Sequence, residues 1–228
     1  SAASTAFGDG YRALNRFYFA RATLLAAGVS FTLFNDMPGE DHTLIAAHRG
    51  SSGAAPENTR AAVALALEEG ADFVEVDVQE TADGVIVVLH DADLMRLAGL
   101  KLNIWDADYD DLRDIDVGSR FSPEFSGERI PTLREILEMV RGKATLNIEL
   151  KYNGHDVKLA ERVVETVEAA GMEAEVVLMS LSYDGVKQIR ALRPKWTVGF
   201  LSAAAVGNIT KIDADFLAVS TRLATTTF

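Results

Sequence analysis

At 228 residues the chain is long enough for one large domain, and 48% hydrophobic residues supply a core that excludes wholesale disorder. The absence of cysteine excludes a disulfide scaffold and any zinc site built on thiolate. Twenty-two basic against 34 acidic side chains leave a formal charge of −12. That charge argues against affinity for a nucleic-acid backbone, and an anionic substrate would need a locally reversed field.

The first 42 residues stand apart. Arg12, Arg16 and Arg21 precede an uncharged stretch from Ala22 to Asn35. This composition predicts an N-terminal helical extension over 1–42. The alternatives over residues 11–35 are an interfacial helix or the end of a membrane segment. No run of 18 uncharged apolar residues supplies a complete span. Cellular location is left at membrane-associated or cytoplasmic.

From Thr43 onward, short apolar and β-branched runs at 43–47, 72–78, 85–89, 145–150, 175–180, 196–200 and 215–219 predict seven strands. Helical stretches lie between several of them. Ala62, Leu65 and Ala66 open one that Gly70 stops. Thr132 and Glu135 form a capping box ahead of Ile136, Leu137 and Val140, with Gly142 as the stop. Leu159, Val163, Val167 and Ala170 make an apolar stripe, and Val186, Ile189 and Leu192 another, ended by Pro194. Strands alternating with helices predict an α/β fold of parallel βα units. Neither a G-x-G-x-x-G nor a Walker loop is present. A complete (β/α)8 barrel takes about 250 residues. Residues 43–228 are therefore read as such a barrel lacking its last βα unit, with a small insertion at about 91–131.

Four clusters fall at predicted strand ends, the face on which barrel active sites are built. His48-Arg49-Gly50, followed by Pro56-Glu57-Asn58-Thr59, reads as a proton-transfer and phosphate-binding group or as a surface loop. Glu75-Val76-Asp77 puts two carboxylates on one face of a strand whose other face carries Val74, Val76 and Val78. Such a pair is costly to bury unless a cation joins it. His90-Asp91 supplies a second histidine or a turn. Glu149-Leu150-Lys151 supplies a third carboxylate and a cation, or a local ion pair. Taken jointly, three carboxylates suit Mg²⁺ or Ca²⁺, Arg49 and Lys151 suit a phosphate, and two histidines suit acid/base work. Metal-assisted phosphoester hydrolysis is the chemistry of this inventory.

In this order, His48-Arg49-Gly50, Pro56-Glu57-Asn58-Thr59, Glu75-x-Asp77, His90-Asp91, Ile130-Pro131-Thr132-Leu133 and Glu149-x-Lys151 resemble the glycerophosphodiester phosphodiesterase family. The resemblance runs from about Thr43 to the end. It implies a TIM barrel, a divalent metal ion, and hydrolysis of glycerophosphodiesters to glycerol 3-phosphate and an alcohol. By the same resemblance Glu75, Asp77 and Glu149 match metal ligands, and His48 and His90 a catalytic pair. Arg49 and Lys151 match phosphate contacts, while Glu57, with Asn58 beside it, supports the first histidine and the metal site. The insertion corresponds to part of the substrate wall. Some bacterial members carry a multi-span membrane region before the catalytic domain, and residues 11–35 are compatible with the tail of one. Without the eighth strand, the barrel is expected to expose two unpaired edges.

Two competing readings use the same residues: a phospholipase D-like or phosphoinositide-cleaving enzyme on a similar barrel, and a catalytically silent binding module. The acidic run Asp106, Asp108, Asp110, Asp111, Asp114 and Asp116 lacks the glycine and glutamate spacing of an EF-hand and reads as a solvated short helix or turn. His42 and His155 read as surface residues. Trp105 and Phe121 read either as pocket lining or as packing of the insertion.

Overall fold

The computed structural model describes residues 31–32, 44–202 and 212–220. Among them, strands β1 (Phe31–Thr32), β2 (Ala46–His48), β3 (Phe73–Glu80), β4 (Ile86–Val88), β5 (Thr145–Leu150), β6 (Val176–Ser180), β7 (Val198–Ser202) and β8 (Phe216–Ser220) form one sheet. Its order from one edge is β2-β3-β5-β6-β7-β8-β1, with β4 attached to β3. Every neighbour from β2 to β8 along this path pairs in parallel. The described strands therefore include six parallel rungs of a barrel wall.

Helices α1 (Arg60–Glu68), α4 (Leu133–Val140), α5 (Leu159–Ala170) and α6 (Tyr183–Leu192) link these rungs. In chain order α1 packs on α4, α4 on α5 and α5 on α6. The short helices α2 (Met95–Ala98) and α3 (Tyr109–Leu112) lie in the insertion.

Sequence periodicity explains both faces of the sheet. Outward residues Val74, Val76, Val78, Leu146, Ile148 and Leu150 are buried with Leu133, Ile136, Leu137, Val163 and Val167 from the helices. Inward residues Ala46, Phe73, Met179, Leu201 and Ala218 make a second, smaller cluster. A parallel sheet covered on both faces gives near-continuous apolar runs rather than clean alternation, and all eight residues of β3 are buried. Against that rule the inward Glu75, Asp77, Gln79, Asn147 and Glu149 are conspicuous. They are polar groups placed where the barrel would otherwise hold aliphatic layers.

Local signals end the helices as their chemistry requires. Thr59 caps α1 by accepting from the Ala62 amide. The Thr132 hydroxyl accepts from the Glu135 amide, and Glu135 Oε2 accepts from the Thr132 amide at 2.8 Å, a reciprocal box that satisfies two otherwise orphaned donors. Gly171 closes α5 in the left-handed conformation.

Two expectations are corrected. The run 85–89 is a strand, but it pairs antiparallel to β3, with Val78 opposite Val88 and Glu80 opposite Ile86. Five residues separate β3 from β4, too few for the dozen or more that a parallel crossover needs. The chain therefore turns back through Asp83-Gly84 and returns towards the middle of β3, where the Leu89 amide donates to Asp77 O at 2.9 Å. The outer edge of β8 is not bare, because Phe31 and Thr32 pair antiparallel with Ser220 and Val219. The rest of the expected helical extension over 1–42, with His42, lies outside the described residues, as does nearly all of 11–35. No helix among the described residues is long and apolar enough to cross a membrane.

The insertion holds two short α-helices and two 3-10 turns, and its Leu94, Ile104, Leu112, Val117 and Ile130 pack with Val87 and Leu89 of the returning strand into a separate core. Of its acidic run, Asp110 and Asp111 lie in the short helix α3, and Asp116 builds a turn. Asp116 accepts from the Gly118, Ser119 and Gly127 amides at 2.9 Å each.

Candidate active site

Parallel register brings the predicted residues together without any long-range search. His48 stands opposite Glu75, Glu75 opposite Asn147, and Asp77 opposite Glu149. Since alternate residues of a strand share a face, the inward side of β2, β3 and β5 carries His48, Glu75, Asp77 and Glu149 side by side near the strand ends. Glu75, Asp77 and Glu149 are 2%, 0% and 3% exposed, so the solvated-face explanation fails. One oxygen from each lies within 4.8 Å of the others, close enough for all three to hold a single metal ion.

The turn after β2 is shaped to serve this cluster. Arg49 has φ +57°, the left-handed region that a non-glycine residue enters only at a cost. In that conformation its amide donates to Glu75 Oε2 at 2.9 Å. Asn58 is also left-handed, at φ +58°, a geometry that Asn tolerates. It is buried and grips Asp77 twice, donating to Oδ2 at 2.8 Å and accepting from the Asp77 amide at 3.2 Å. Gly50 follows at φ +73°, and a Cβ there would lie 2.5 Å from the Ala62 carbonyl carbon. Gly50→Ala is therefore expected to cost about 1–3 kcal/mol through overpacking against α1. Gly53→Ala, with open space and no positive φ, should stay within about 0.5 kcal/mol. Denaturant midpoints of the two variants make the comparison.

The two cations predicted to touch phosphate are here paired with the acids. Arg49 Nη1 donates to Glu57 Oε1 at 2.9 Å, and its Nε lies 3.2 Å from Asp77 Oδ2. Lys151 Nζ is 3.0 Å from Asp77 Oδ1 and 2.5 Å from Glu149 Oε1. His48 Nε2 lies 3.9 Å from Glu75 Oε2. His90, at the end of the returning strand, has its Nδ1 2.7 Å from Asp91 Oδ1.

Burial and charge set the protonation of the group. Burial, reinforced by the charges of Asp77 and Glu149, raises Glu75 well above the usual carboxylate range. Burial and then Asp77 push Glu149 up to about 7, although Lys151 opposes the shift. Burial also disfavours ionised Asp77, but Lys151, Arg49, His90 and Asn58 together outweigh it and hold its carboxyl below the usual range. His48 is lowered to about 4, first by burial and then by the adjacent Arg49. At neutral pH its imidazole is neutral and able to accept a proton.

The donor set fits a hard divalent cation. Glu75 Oε1 is buried without a hydrogen-bond partner, an expensive state unless another group meets it, and Asp77 Oδ1 is met by the Lys151 ammonium at 3.0 Å. All three side chains offer oxygen, the donor type that Mg²⁺ and Ca²⁺ prefer. Charge leads to the same conclusion. Glu57, Glu75, Asp77, Asp91 and Glu149 make five carboxylates against the three cations Arg49, Arg96 and Lys151. Full ionisation would leave an excess of two negative charges, which protons on Glu75 and Glu149, or one divalent ion, would neutralise.

Two residues of this network are absent from the sequence-based set. Gln79, inward on β3 one step beyond Asp77, donates from Nε2 to the carbonyls of Leu89, His90 and Asp91 at 2.9, 3.2 and 2.7 Å. Period-two reading of β3 carried one position further finds it. Arg96, on α2, donates to Asp91 Oδ2 and to both oxygens of Glu57. Its sequence signal is slight: it is the one cation between Val85 and Leu100. Trp105 stacks on His155 from the loop after β5, with ring centroids 4.2 Å apart and planes 6° from parallel. Phe121 is exposed and meets Phe125 edge-on.

Comparison with known proteins accords with this geometry. The chain is 36% identical over 165 residues to a glycerophosphodiester phosphodiesterase of Caldanaerobacter subterraneus, covering 70% of this chain and 66% of the relative. It resembles the crystal structure of a glycerophosphodiester phosphodiesterase from Agrobacterium tumefaciens, with 35% identity and a TM-score of 0.64 over 70% of this chain and 67% of that one. A phosphodiesterase of Oleispira antarctica, solved in complex with the product sn-glycerol-3-phosphate, gives 31% identity and a TM-score of 0.72 over 76% and 73% of the two chains. The chain thus spans about two thirds of the length of these relatives. These structural neighbours identify the curled parallel sheet as part of a TIM barrel. The model of the glycerophosphoryl diester phosphodiesterase family matches residues 48–224, and the chain belongs to that family of phosphoric diester hydrolases.

Proposed function

We propose that the chain carries the metal-dependent hydrolysis of glycerophosphodiesters to glycerol 3-phosphate and an alcohol. The observation that carries this reading is the buried group of Glu75, Asp77 and Glu149, converging within reach of one ion and leaving Glu75 Oε1 without a hydrogen-bond partner. Arg49 and Lys151 flank it. The family match supports the reaction class, and the product bound to the Oleispira antarctica relative supports the substrate class.

Glu75, Asp77 and Glu149 would hold the ion, which supplies Lewis-acid neutralisation of charge on the phosphoryl group. With the carboxylates neutralised, Arg49 and Lys151 would be free to offer their N–H groups to phosphate oxygens, offsetting locally the −12 net charge of the chain. His48, neutral at pH 7 because burial and Arg49 disfavour its protonated form, takes the proton from the attacking hydroxyl. His90 protonates the departing alcohol oxygen through Nε2. The Asp91 carboxylate at Nδ1 orients the ring for this role. Asn58 and Glu57 keep Asp77 and Arg49 in place. Membrane association through 11–35 has no support among the described residues and plays no part in the reading.

The test is release of glycerol 3-phosphate from glycerophosphocholine, glycerophosphoethanolamine and glycerophosphoglycerol with Mg²⁺ or Ca²⁺ added. Cation-dependent release is expected from at least one of them. Turnover that survives a strong chelator would remove the metal from the mechanism, and no release from any of the three would remove the substrate class.

A further inference from the structure

Arg96 sits at a junction that the proposed mechanism does not use. It lies on α2, a four-residue helix in the insertion, and its side chain is 49% exposed. Its guanidinium nevertheless makes three directed hydrogen bonds. Nε donates to Asp91 Oδ2 at 2.6 Å, Nη1 to Glu57 Oε2 at 3.0 Å, and Nη2 to Glu57 Oε1 at 2.6 Å. The same Glu57 Oε1 accepts from Arg49 Nη1. The other oxygen of Asp91 meets His90 Nδ1 at 2.7 Å. One planar group thus ties the turn after β2, which carries His48 and Arg49, to the turn after β4, which carries His90.

Charge makes the chain of bonds directional. Burial opposes ionised Asp91, but hydrogen bonds from Arg96 and His90 outweigh it and hold the carboxyl below its usual range. An ionised carboxylate only accepts, so the imidazole nitrogen facing it must carry the proton. His90 is thereby fixed with N–H at Nδ1, leaving Nε2 as the nitrogen that exchanges protons with substrate. Without Arg96, Asp91 keeps its charge but loses the partner that fixes its plane. A surface ion pair by itself is worth little. Here the geometry passed on to His90 matters more than the energy of the pair.

We propose that Arg96 is a positioning residue for the reaction: by clamping Asp91 and Glu57 together it fixes the ring orientation and tautomer of His90 and registers that histidine against Arg49. The inference rests on the reading of His90 as the proton donor. Lysine cannot replace Arg96, because a point charge cannot span Asp91 and Glu57 as the guanidinium fork does.

The experiment compares Arg96→Met, Arg96→Lys, Asp91→Asn and His90→Ala, with steady-state kinetics on a glycerophosphodiester and ¹⁵N spectra of the histidine rings in the folded, cation-loaded protein. His90→Ala should lower kcat by about 10²–10⁴-fold. Arg96→Met and Arg96→Lys should both lower kcat by about 10²-fold with KM within about threefold of the parent. The Asp91→Asn/Arg96→Met double variant should be no worse than Asp91→Asn alone. The His90 ring should be protonated at Nδ1 in the parent and at Nε2 in Asp91→Asn, whose amide can donate to Nδ1. If His90→Ala is inactive while Arg96→Met turns over like the parent, or if Arg96→Lys restores the parent rate, Arg96 does not position His90. If His90→Ala itself turns over normally, the assignment of His90 fails, and the role of Arg96 with it.

Discussion

Alanine in place of His48 or of His90 is expected to lower kcat by about 10²–10⁴-fold, the usual worth of a positioned acid or base. The two losses should differ in kind. His48 is buried beside Arg49 and neutral at pH 7; on the proposed reading His48→Ala removes the proton acceptor and should slow every substrate alike. His90 is paired through Nδ1 with Asp91; on the proposed reading His90→Ala removes the proton donor. Its loss matters only when the departing alcohol needs a proton. A glycerophosphodiester of p-nitrophenol, whose phenolate leaves unaided, should restore His90→Ala to within about tenfold of the parent and leave His48→Ala impaired. Equal rescue of both variants would contradict the division of labour. In both, cation affinity measured by calorimetry should match the parent, because neither histidine belongs to the carboxylate triad.

The second large effect is on stability, and its sign changes with the cation. Glu149 is pushed up to about 7 by burial and then by Asp77, and Glu75 is raised by the same causes. Between the ordinary carboxylate value of 4.5 and about 7 the folded protein keeps protons that the unfolded chain has released. Stability therefore falls as pH rises through that window. Two groups work in the other direction. Asp77 does so only at low pH, its lowered value stabilising the fold above 3.8. His48, lowered to about 4, favours the fold as pH rises towards 6.5, but it is one group against the two raised carboxylates. A metal-free sample should thus melt at a lower temperature at pH 7.5 than at pH 5. Saturating Mg²⁺ or Ca²⁺ should reverse the slope, since the ion replaces the protons and binds best where the carboxylates give them up readily. At a hundred times Kd the ion should add about 2.7 kcal/mol. Glu149→Gln, which needs no deprotonation, should flatten the metal-free slope and weaken the response to cation. A melting temperature that rises from pH 5 to 7.5 without cation would contradict this account.

Much of the site was legible in the sequence because parallel strands bring distant residues together by simple rules. Alternation within Glu75-Val76-Asp77 and Glu149-Leu150-Lys151 put the carboxylates on inward faces, and in-register pairing of Asp77 with Glu149 did the rest. The capping box at Thr132 and Glu135 and the glycine stops are local chemistry, and they lie where the sequence puts them. What escaped depends on tertiary partners. The run 85–89 has the composition of any barrel strand, and only the five-residue link from Glu80 reveals that it must turn back. Arg96 looks like an ordinary exposed cation in Met95-Arg96-Leu97, and nothing local announces a partner 39 residues away at Glu57. The motifs mark Arg49 and Lys151 as phosphate contacts. Their pairing with Glu57, Asp77 and Glu149 follows from the charge balance of the whole cluster, which no single motif displays.

The most direct measurement is an anomalous-difference map from crystals of the protein grown with Mn²⁺, an oxygen-seeking cation with a usable signal. The account predicts one strong peak bonded to a carboxylate oxygen from each of Glu75, Asp77 and Glu149, lost in Asp77→Ala crystals. A map with no peak at that place, or with its peak bound by the Asp106–Asp116 run instead, would contradict it.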